Sequence, residues 1–263
     1  MKYLEIYERV FENTSETDPI HIHGHLEIFT LLEGQLDYMI DGVIYQMKVG
    51  DVAVVSAGAP HAKKITHSGH LRFAVINVEN GFFTEAKCPE YSEFFAHLDT
   101  TEHLIKADSA KEIGLHSAFA RLSSYTEGYR HTETPIAACT VFEILYLIAG
   151  GSFTRDYSEH PTVRRIIEYI GKHYRESISL ADISSRLYLS KYYVSRLFKA
   201  HTGMTVMEYL TGKRLYEFDR LINAGETMTA AALSAGFPDY TSFYNAYKKA
   251  HGVSPRKHLK CKE

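Results

Sequence analysis

Four side chains near the start of the chain are of kinds that bind transition metals. His21, His23, His25 and Glu27 follow one another at intervals of two residues. Because successive side chains of a strand point to opposite faces, this spacing predicts that all four share one strand face if the segment is extended. Imidazole and carboxylate groups suit Fe, Mn, Ni or Zn, and they can also hydrogen-bond a polar organic molecule. The residues leave both kinds of chemistry open, together with a third interpretation in which His21 and His25 lie in solvent at a strand edge.

The three cysteines predict no catalytic chemistry. Cys88, Cys139 and Cys261 are scattered singly, without CxxC spacing. A nucleophilic cysteine needs a neighbouring base or cation, and none of the three has a coherent set of such neighbours. Unpaired cysteines at irregular spacing are typical of the reducing cytoplasm. We therefore expect a cytoplasmic protein, and not an enzyme that modifies DNA through a cysteine.

A polar helix face near residue 195 indicates recognition of DNA. Val194, Leu197 and Phe198 form an apolar stripe at helical spacing, which would seat this helix on its neighbours. The opposite face is suited to DNA, because Arg can bond guanine twice while Lys and Ser can bind phosphate oxygens. The DNA-binding residues predicted here are Ser190, Lys191, Tyr192, Ser195, Arg196 and Lys199.

The same pattern returns 49 residues later. That shift places Phe198-Lys199 on Tyr247-Lys248 and Gly203 on Gly252. A single copy could equally be a helical bundle with a solvated charged face, but two copies of the same polarity favour a duplicated helix-turn-helix. The DNA-binding residues predicted in the second copy, where Asn can pair with adenine, are Asp239, Tyr240, Thr241, Asn245 and Lys248.

Residues 163–260 resemble the DNA-binding region of the AraC/XylS transcription regulators, which is two helix-turn-helix units joined by a long helix. Tyr188 stands where that family often has Gly, in the first turn. The resemblance implies a regulator that binds double-stranded DNA, works with RNA polymerase and forms a homodimer. The motifs that carry the resemblance are Leu180-Ala-Asp-Ile, Tyr193-Val-Ser-Arg-Leu-Phe-Lys, Tyr209-Leu210, Arg214-Leu215, Ala235-Gly-Phe-Pro-Asp and Gly252-Val-Ser-Pro.

The distribution of charge supports the same interpretation. The whole chain has a net charge of −3. Before Pro161 there are 12 basic and 23 acidic residues, a net −11; from Pro161 onward there are 17 and 9, a net +8. Because neutralised phosphates release counterions, a basic half that contains the duplicated motif is expected of a DNA-binding domain.

The first eighty residues predict a small antiparallel β-barrel or jelly roll. Ile28 to Ile40 is rich in β-branched and aromatic residues. Asp41-Gly42, Gly50-Asp51 and Ala57-Gly58-Ala59-Pro60 are turn signals between short strands. The fold class we expect is therefore α+β and multidomain, with a β-barrel followed by an all-α tandem helix-turn-helix.

The histidine-rich segment also resembles the first motif of the cupin barrels, in the form His21-x-His23-x3-Glu27-x6-Gly34. Gly50 to His61 resembles the second cupin motif, with Ser56 where Pro is usual. This resemblance implies a pocket in which His23, Glu27 and His61 bind an effector. It also implies a divalent transition metal if His21 joins them as a fourth ligand. Many AraC-type regulators have such a barrel as their effector domain, so the two resemblances support each other.

The apolar residues that follow the barrel at helical spacing complete the predicted division into domains. Helices are expected over Glu90 to Leu98, over Ser109 to Tyr125 and from Pro135 to the glycines at 150–151. Such apolar faces are equally compatible with a dimer contact and with ordinary core. The predicted regions are 1–82 for the cupin-like barrel, 83–151 for the helices, 152–160 for a linker and 161–263 for the double helix-turn-helix.

The function expected from the sequence is a cytoplasmic, effector-responsive transcription regulator that is not an enzyme. Its effector would be a small polar molecule such as a sugar or a related metabolite. No segment has the length that a membrane span requires, so no membrane partner is expected. The alternative is a cupin metalloenzyme with a helical oligomerisation module, which the extra histidines favour but which leaves the duplicated basic motif unexplained.

Overall fold

The structure is a computed structural model that describes residues 3–12, 21–65, 70–79, 81–86, 103–126, 128, 134–150 and 160–260. The chain forms two compact units. The first comprises residues 1–19 and 25–158, and the second comprises residues 20–24 and 159–263. The predicted helix Glu90 to Leu98 and the predicted linker 152–160 (except for His160) lie outside the described residues.

The first unit contains eight described strands in two antiparallel sheets. Strands β1, β7, β2, β5 and β8 form one sheet in that order, and β4, β3 and β6 form the other. The predicted barrel is thus present as two cupin-like sheets. The strand bounds are β1 Leu4–Glu12, β2 Leu26–Glu33, β3 Leu36–Ile40, β4 Val43–Met47, β5 Val52–Val55, β6 His61–Lys64, β7 His70–Val78 and β8 Leu104–Ile105.

The predicted turn at Asp41-Gly42 is confirmed and sets the register of the smaller sheet. Asp41 has φ 48° and Gly42 φ 82°, the paired left-handed conformation of a two-residue hairpin turn. Ile40 therefore pairs with Val43, and Tyr38 with Tyr45.

The larger sheet is buried on both faces. Ile28, Val54 and Ile76 contribute to one apolar core together with the helices of this unit. Phe29 and Val55, one position along, contribute to a second core shared with the smaller sheet. The alternation of strand side chains therefore places odd-numbered residues of β2, including Glu27, in the space between the two sheets.

The helices of the first unit are α1 Gly81–Glu85, α2 Ala107–Glu112, α3 Leu115–Tyr125 and α4 Pro135–Gly150. The start of α4 at Pro135 confirms the prediction. The single helix expected over Ser109 to Tyr125 is wrong, because two helices meet at Gly114. Gly114 has φ 87°, a left-handed conformation that glycine adopts without strain and that ends a helix.

The second unit is helical, as predicted. Its helices are α5 Pro161–His173, α6 Leu180–Leu187, α7 Lys191–Thr202, α8 Val206–Asn223, α9 Met228–Ser234, α10 Tyr240–His251 and α11 Pro255–Lys260. None of the helices in the described part of the chain is long and apolar enough to cross a membrane.

The prediction that His21, His23, His25 and Glu27 share one strand face is wrong. Strand β2 begins only at Leu26, and the backbone bends at Gly24 and His25. The period-two spacing therefore has no structural basis before Leu26. Residues 20–24 group with the second unit, where the end of the Ile22 side chain lies against Gly212.

Candidate nucleic-acid interface and pocket

Helices α7 and α10 are the two polar-faced helices expected from the duplication. Each has twelve residues, and their bounds differ by 49 positions at both ends. Each ends at a left-handed glycine, Gly203 with φ 76° and Gly252 with φ 71°. The duplication inferred from residue spacing is thus a duplication of structure.

The inner side of α7 is apolar and its outer side is basic. Val194 and Phe198 are fully buried in the core of the first helix-turn-helix. The side chains that remain exposed on α7 include the predicted Lys191, Tyr192, Arg196 and Lys199, and Ser195 is half-buried beside them. This helix therefore presents its cations and hydrogen-bonding groups to solvent, where phosphates and base edges could reach them.

Helix α10 likewise has an apolar inner side and a polar outer side, and it differs from α7 at Tyr240. Phe243 and Tyr247 are fully buried, whereas Thr241, Asn245 and Lys248 are exposed. Tyr240 is half-buried, and its ring centroid lies 5.5 Å from that of Phe243. Tyr240 therefore packs partly on the core, so that less of its side chain faces outward than the sequence pattern predicts.

Two of the predicted DNA-binding residues cap these helices. The Ser190 hydroxyl accepts a hydrogen bond from the Tyr193 N–H at 3.2 Å, and the Asp239 carboxylate accepts one from the Ser242 N–H at 2.7 Å. The hydrogen bonds from Ser242 hold the pKa of Asp239 below its usual range. Both side chains satisfy helix N-termini, and their predicted contact with DNA stays a prediction.

An aromatic ring lies beside Arg196, one helical turn earlier. Its guanidinium carbon lies 5.9 Å from the centroid of the Tyr192 ring, within the range of a cation–π interaction. The ring is 74% exposed. The ring is thus close enough to interact with the exposed guanidinium.

The Glu27 carboxylate, one of the groups predicted to bind an effector, lies in the interior of the first unit. Glu27 is buried, and the Tyr38 hydroxyl donates a hydrogen bond to its Oε1 at 2.5 Å. The Lys63 ammonium lies 3.5 Å from the same oxygen and 3.4 Å from the Tyr38 hydroxyl. Tyr38 and Lys63 are register partners on β3 and β6, so the pairing of the smaller sheet brings this cation to the carboxylate.

Aromatic rings surround the Lys63 ammonium. The centroids of Tyr38, Phe29 and Phe73 lie 4.9, 5.5 and 6.0 Å from its nitrogen. Only 7% of Lys63 is exposed. Ring faces and a carboxylate together compensate a charge that has lost most of its water.

His61 lies at the edge of the same network. It is fully buried, and its Nδ1 lies 2.8 Å from the Ala59 carbonyl oxygen. Since a carbonyl can only accept, Nδ1 carries the proton. The other ring nitrogen, Nε2, lies 3.9 Å from Glu27 Oε2. The facing sheets thus bring together two of the three predicted effector-binding residues.

Comparison with known proteins places these features in a family. Residues 183–260 match a family described as a helix-turn-helix domain, and residues 10–77 match the cupin domain. The HTH-type transcriptional activator RhaS of Escherichia fergusonii is 30% identical over 246 residues, which cover 90% of this chain and 86% of that protein. The chain belongs to the AraC family of transcription regulators.

Other relatives of this AraC-family chain have similar names. The probable transcriptional regulator LumQ of Photobacterium leiognathi is 23% identical over 94% of each chain. The melibiose operon regulatory protein of Escherichia coli K12 is 20% identical over 91% of this chain and 83% of its own. A crystal structure of ToxT from Vibrio cholerae is 15% identical in sequence, with a TM-score of 0.41. The match covers 99% of this chain and 98% of the ToxT chain.

A cupin domain raises the question of whether this AraC-family chain fits a metal. One oxygen of Glu27 already accepts from Tyr38 and lies beside the Lys63 ammonium. A divalent ion bound to that carboxylate would face repulsion from the ammonium on the order of several kcal/mol. Glu27 therefore does not fit as a metal ligand while Lys63 is charged.

The predicted four-residue metal set stays a prediction. His21 and His23 belong to the second unit and Glu27 and His61 to the first. Within the second unit the ring centroids of His21 and His23 are 5.9 Å apart.

Sequence reasoning missed Tyr7, Tyr38 and Lys63 as residues that interact with Glu27. Burial raises the pKa of Tyr7 to about 12, and the charge of Glu27 contributes, so this phenol keeps its proton at neutral pH. A usable signal existed in β6. His61 and Lys63 alternate with Ala62 and Lys64, which indicates that one lysine points inward with the histidine.

Proposed function

We propose that α7 and α10 read two adjacent segments of the DNA major groove. The observation that carries this proposal is the pair of twelve-residue helices, repeated at a shift of 49, with buried aromatic sides and exposed polar sides. Arg196 would bond guanine and Asn245 adenine, while Lys191, Lys199 and Lys248 bind phosphates. Two segments read from one face of the duplex lie about 10 base pairs apart.

The pocket around Glu27 is the proposed effector site. Glu27 accepts hydrogen bonds, Lys63 donates them, and Tyr38 and His61 can do both. These groups would suit the hydroxyls of a small polar molecule such as a sugar, and the walls formed by Phe29 and Leu31 are apolar. The predicted part of His23 in effector binding stays a prediction. The relative named for the melibiose operon supports this class of effector. Regulation requires that the effector bind one conformational state more tightly than the other.

The other features of a regulator belong to the same proposal. We infer a cytoplasmic, non-enzymatic protein that acts with RNA polymerase as a homodimer. Ile136 and Tyr146 on α4 are 48% and 67% exposed and would contribute to the subunit contact. The DNA-binding part would begin at Pro161, after the linker 152–160, and the effector part would comprise the barrel 1–82 and the helices 83–151.

One experiment tests recognition of DNA. The full chain is incubated with a random-sequence duplex pool, and bound sequences are recovered and compared. We expect two short conserved elements about 10 base pairs apart. Recovery of unrelated sequences would contradict specific recognition. A soluble fragment 161–263 should bind the recovered duplex with a steep salt dependence, and a folded fragment without binding at low salt would refute the proposed division.

A second experiment tests the pocket. Thermal shifts of the wild type are measured with a panel of monosaccharides and disaccharides, and then repeated with Glu27→Gln and His21→Ala. Glu27→Gln should abolish the shift given by the best ligand. His21→Ala should matter only if purified protein contains a metal, which elemental analysis measures. If both variants keep the wild-type shift and no metal is found, the effector binds elsewhere.

A further inference from the structure

The two helix-turn-helix halves have separate apolar cores. Ile166, Ile183 and Phe198 belong to the first core, and Phe218 and Phe243 belong to the second. Helix α8 contributes to both, through Tyr209 and Leu210 at one end and Leu215 and Phe218 at the other. The shared helix α8 is therefore the apolar link between the halves, and any further contact between them adds to what fixes the angle between α7 and α10.

Polar contacts tie the loop 174–176 of the first half to the connecting helix α8. The Arg214 guanidinium donates to the Tyr174 carbonyl oxygen and to the Glu176 carbonyl oxygen, both at 2.7 Å. Arg175 donates to Glu217 Oε1 at 2.5 Å. The loop follows α5 directly and begins with its C-cap residue Tyr174, and an arginine side chain satisfies carbonyl groups at a helix C-terminus well.

The second half also lies against the same loop. Gly236, in the turn before α10, has φ 97°, and a Cβ there would lie 2.6 Å from the Tyr174 carbonyl oxygen and 2.7 Å from the Arg175 Cα. The Arg214 guanidinium carbon lies 5.9 Å from the centroid of the Phe237 ring. Loop 174–176 is thus held between α8 and the turn of the second helix-turn-helix.

Glu217 provides the charged centre of these contacts. It is 4% exposed, and Arg220 on the same helix also donates to its two oxygens, at 2.8 and 2.9 Å. A buried carboxylate is held firmly by two guanidinium partners. Only one of the two partners, Arg175, reaches it from the first half.

We propose that loop 174–176, Arg214, Glu217 and Gly236 form an interlock that fixes the angle between α7 and α10 and so sets the spacing of the two DNA segments. The inference rests on the proposed function, in which both helices read DNA. Arg175, Arg214 and Glu217 are positioning residues: they act through the recognition helices. One inserted base pair rotates the second segment by about 35° and moves it by about 3.4 Å, so a fixed angle gives a narrow spacing optimum.

The test uses the full chain and the duplex that the wild type recovers from a random-sequence pool. Duplexes with one base pair inserted or removed between the two elements are compared with the parent. Arg175→Gln and Arg214→Lys are the interlock variants. Arg220→Gln is the control for the first, because it also removes one positive charge, together with two hydrogen bonds to Glu217, but leaves the first half tied to α8.

The interlock predicts that affinity depends on the spacing of the two DNA elements differently in the interlock variants than in wild type and Arg220→Gln. Wild type and Arg220→Gln should lose at least about tenfold in affinity on the altered duplexes, since correct geometry is what links the two binding events. Arg175→Gln and Arg214→Lys should lose about tenfold on the parent, yet differ by less than about threefold among the duplexes. Circular dichroism spectra equal to the wild type would show that both halves remain folded.

Two other results would contradict the interlock, and they can be told apart. A spacing profile unchanged in both interlock variants would overturn the interlock while leaving DNA recognition intact. Failure of the wild type to enrich any sequence would refute the proposed recognition, and the interlock with it. If Arg214→Lys does not fold, Arg175→Gln decides the matter, because the Arg175 side chain is 56% exposed and its loss leaves both cores unchanged.

Discussion

The ammonium of Lys63 lies 3.5 Å from the carboxylate of Glu27 in the interior of the cupin-like unit. The two side chains are only 9% and 4% exposed. At such burial, each charge depends on the other, because neither can recover its lost hydration from solvent. Breaking the pair by removing one partner is therefore expected to destabilise this unit.

Removing one charge of this pair should lower the free energy of unfolding more than removing both charges. Lys63→Met leaves Glu27 buried without its cation and should lower the free energy of unfolding by about 3–5 kcal/mol. The double variant Lys63→Met with Glu27→Gln should be less destabilised than Lys63→Met alone. Urea unfolding of the wild type, both single variants and the double variant measures the coupling, and additive effects would contradict the role given to the pair.

Tyr188 is strained and should be replaceable with a gain in stability. It has φ 58° at the end of α6 and is 92% exposed. Left-handed backbone costs a non-glycine residue about 1–2 kcal/mol, whereas glycine loses about 0.5–1 kcal/mol in chain entropy. Tyr188→Gly should therefore raise the free energy of unfolding by up to about 1 kcal/mol in thermal or urea melts. A clear loss of stability would mean that the ring contributes to the fold.

Tyr192 should affect DNA recognition through Arg196. Tyr192→Leu removes the ring beside the guanidinium and should reduce the preference for specific over random DNA by about two- to fivefold, the equivalent of an exposed cation–π contact. Tyr192→Phe keeps the ring and should keep the preference. In an Arg196→Ala background, Tyr192→Leu should have no further effect, and an unchanged loss there would show that the ring acts on DNA directly.

Glu217 should make the second unit sensitive to acid. Its hydrogen bond with Arg220, and then that with Arg175, hold its pKa below the usual range. A lowered pKa in the folded state contributes stability above the unfolded pKa of about 4.5 and loses it as pH falls through the folded value. Glu217→Gln should thus be less stable than wild type at pH 7, by about 2 kcal/mol. The two should converge near pH 3 in urea titrations, and a constant difference would contradict this linkage.

The local features of the DNA-binding half were predictable because each depends on neighbouring residues. Ser190 and Asp239 cap α7 and α10, and buried positions such as Val194 and Phe243 recur at helical spacing. Gly114 was not recognised as a break, because the apolar periodicity of Leu115 and Phe119 continues the pattern of a single helix. The histidine spacing suggested a strand that begins only after His25.

The features that sequence reasoning missed depend on long-range pairing. Lys63 meets Glu27 only because two sheets face each other, across 36 positions of the chain. Arg214 meets the loop at Tyr174 across 40 positions. No periodicity or motif in the sequence indicates these long-range contacts, because each of the two cations taken alone resembles an ordinary surface residue.

The central claim is that α7 and α10 recognise a specific DNA sequence, and Arg196→Ala tests it most directly. Affinities of wild type and variant are measured by titration at several salt concentrations, on the recovered duplex and on a scrambled duplex of equal length. The account predicts a loss of about 1–3 kcal/mol on the recovered duplex and a much smaller loss on the scrambled one. Equal losses on both duplexes, with a reduced salt slope, would show that Arg196 binds only phosphate and would contradict the account.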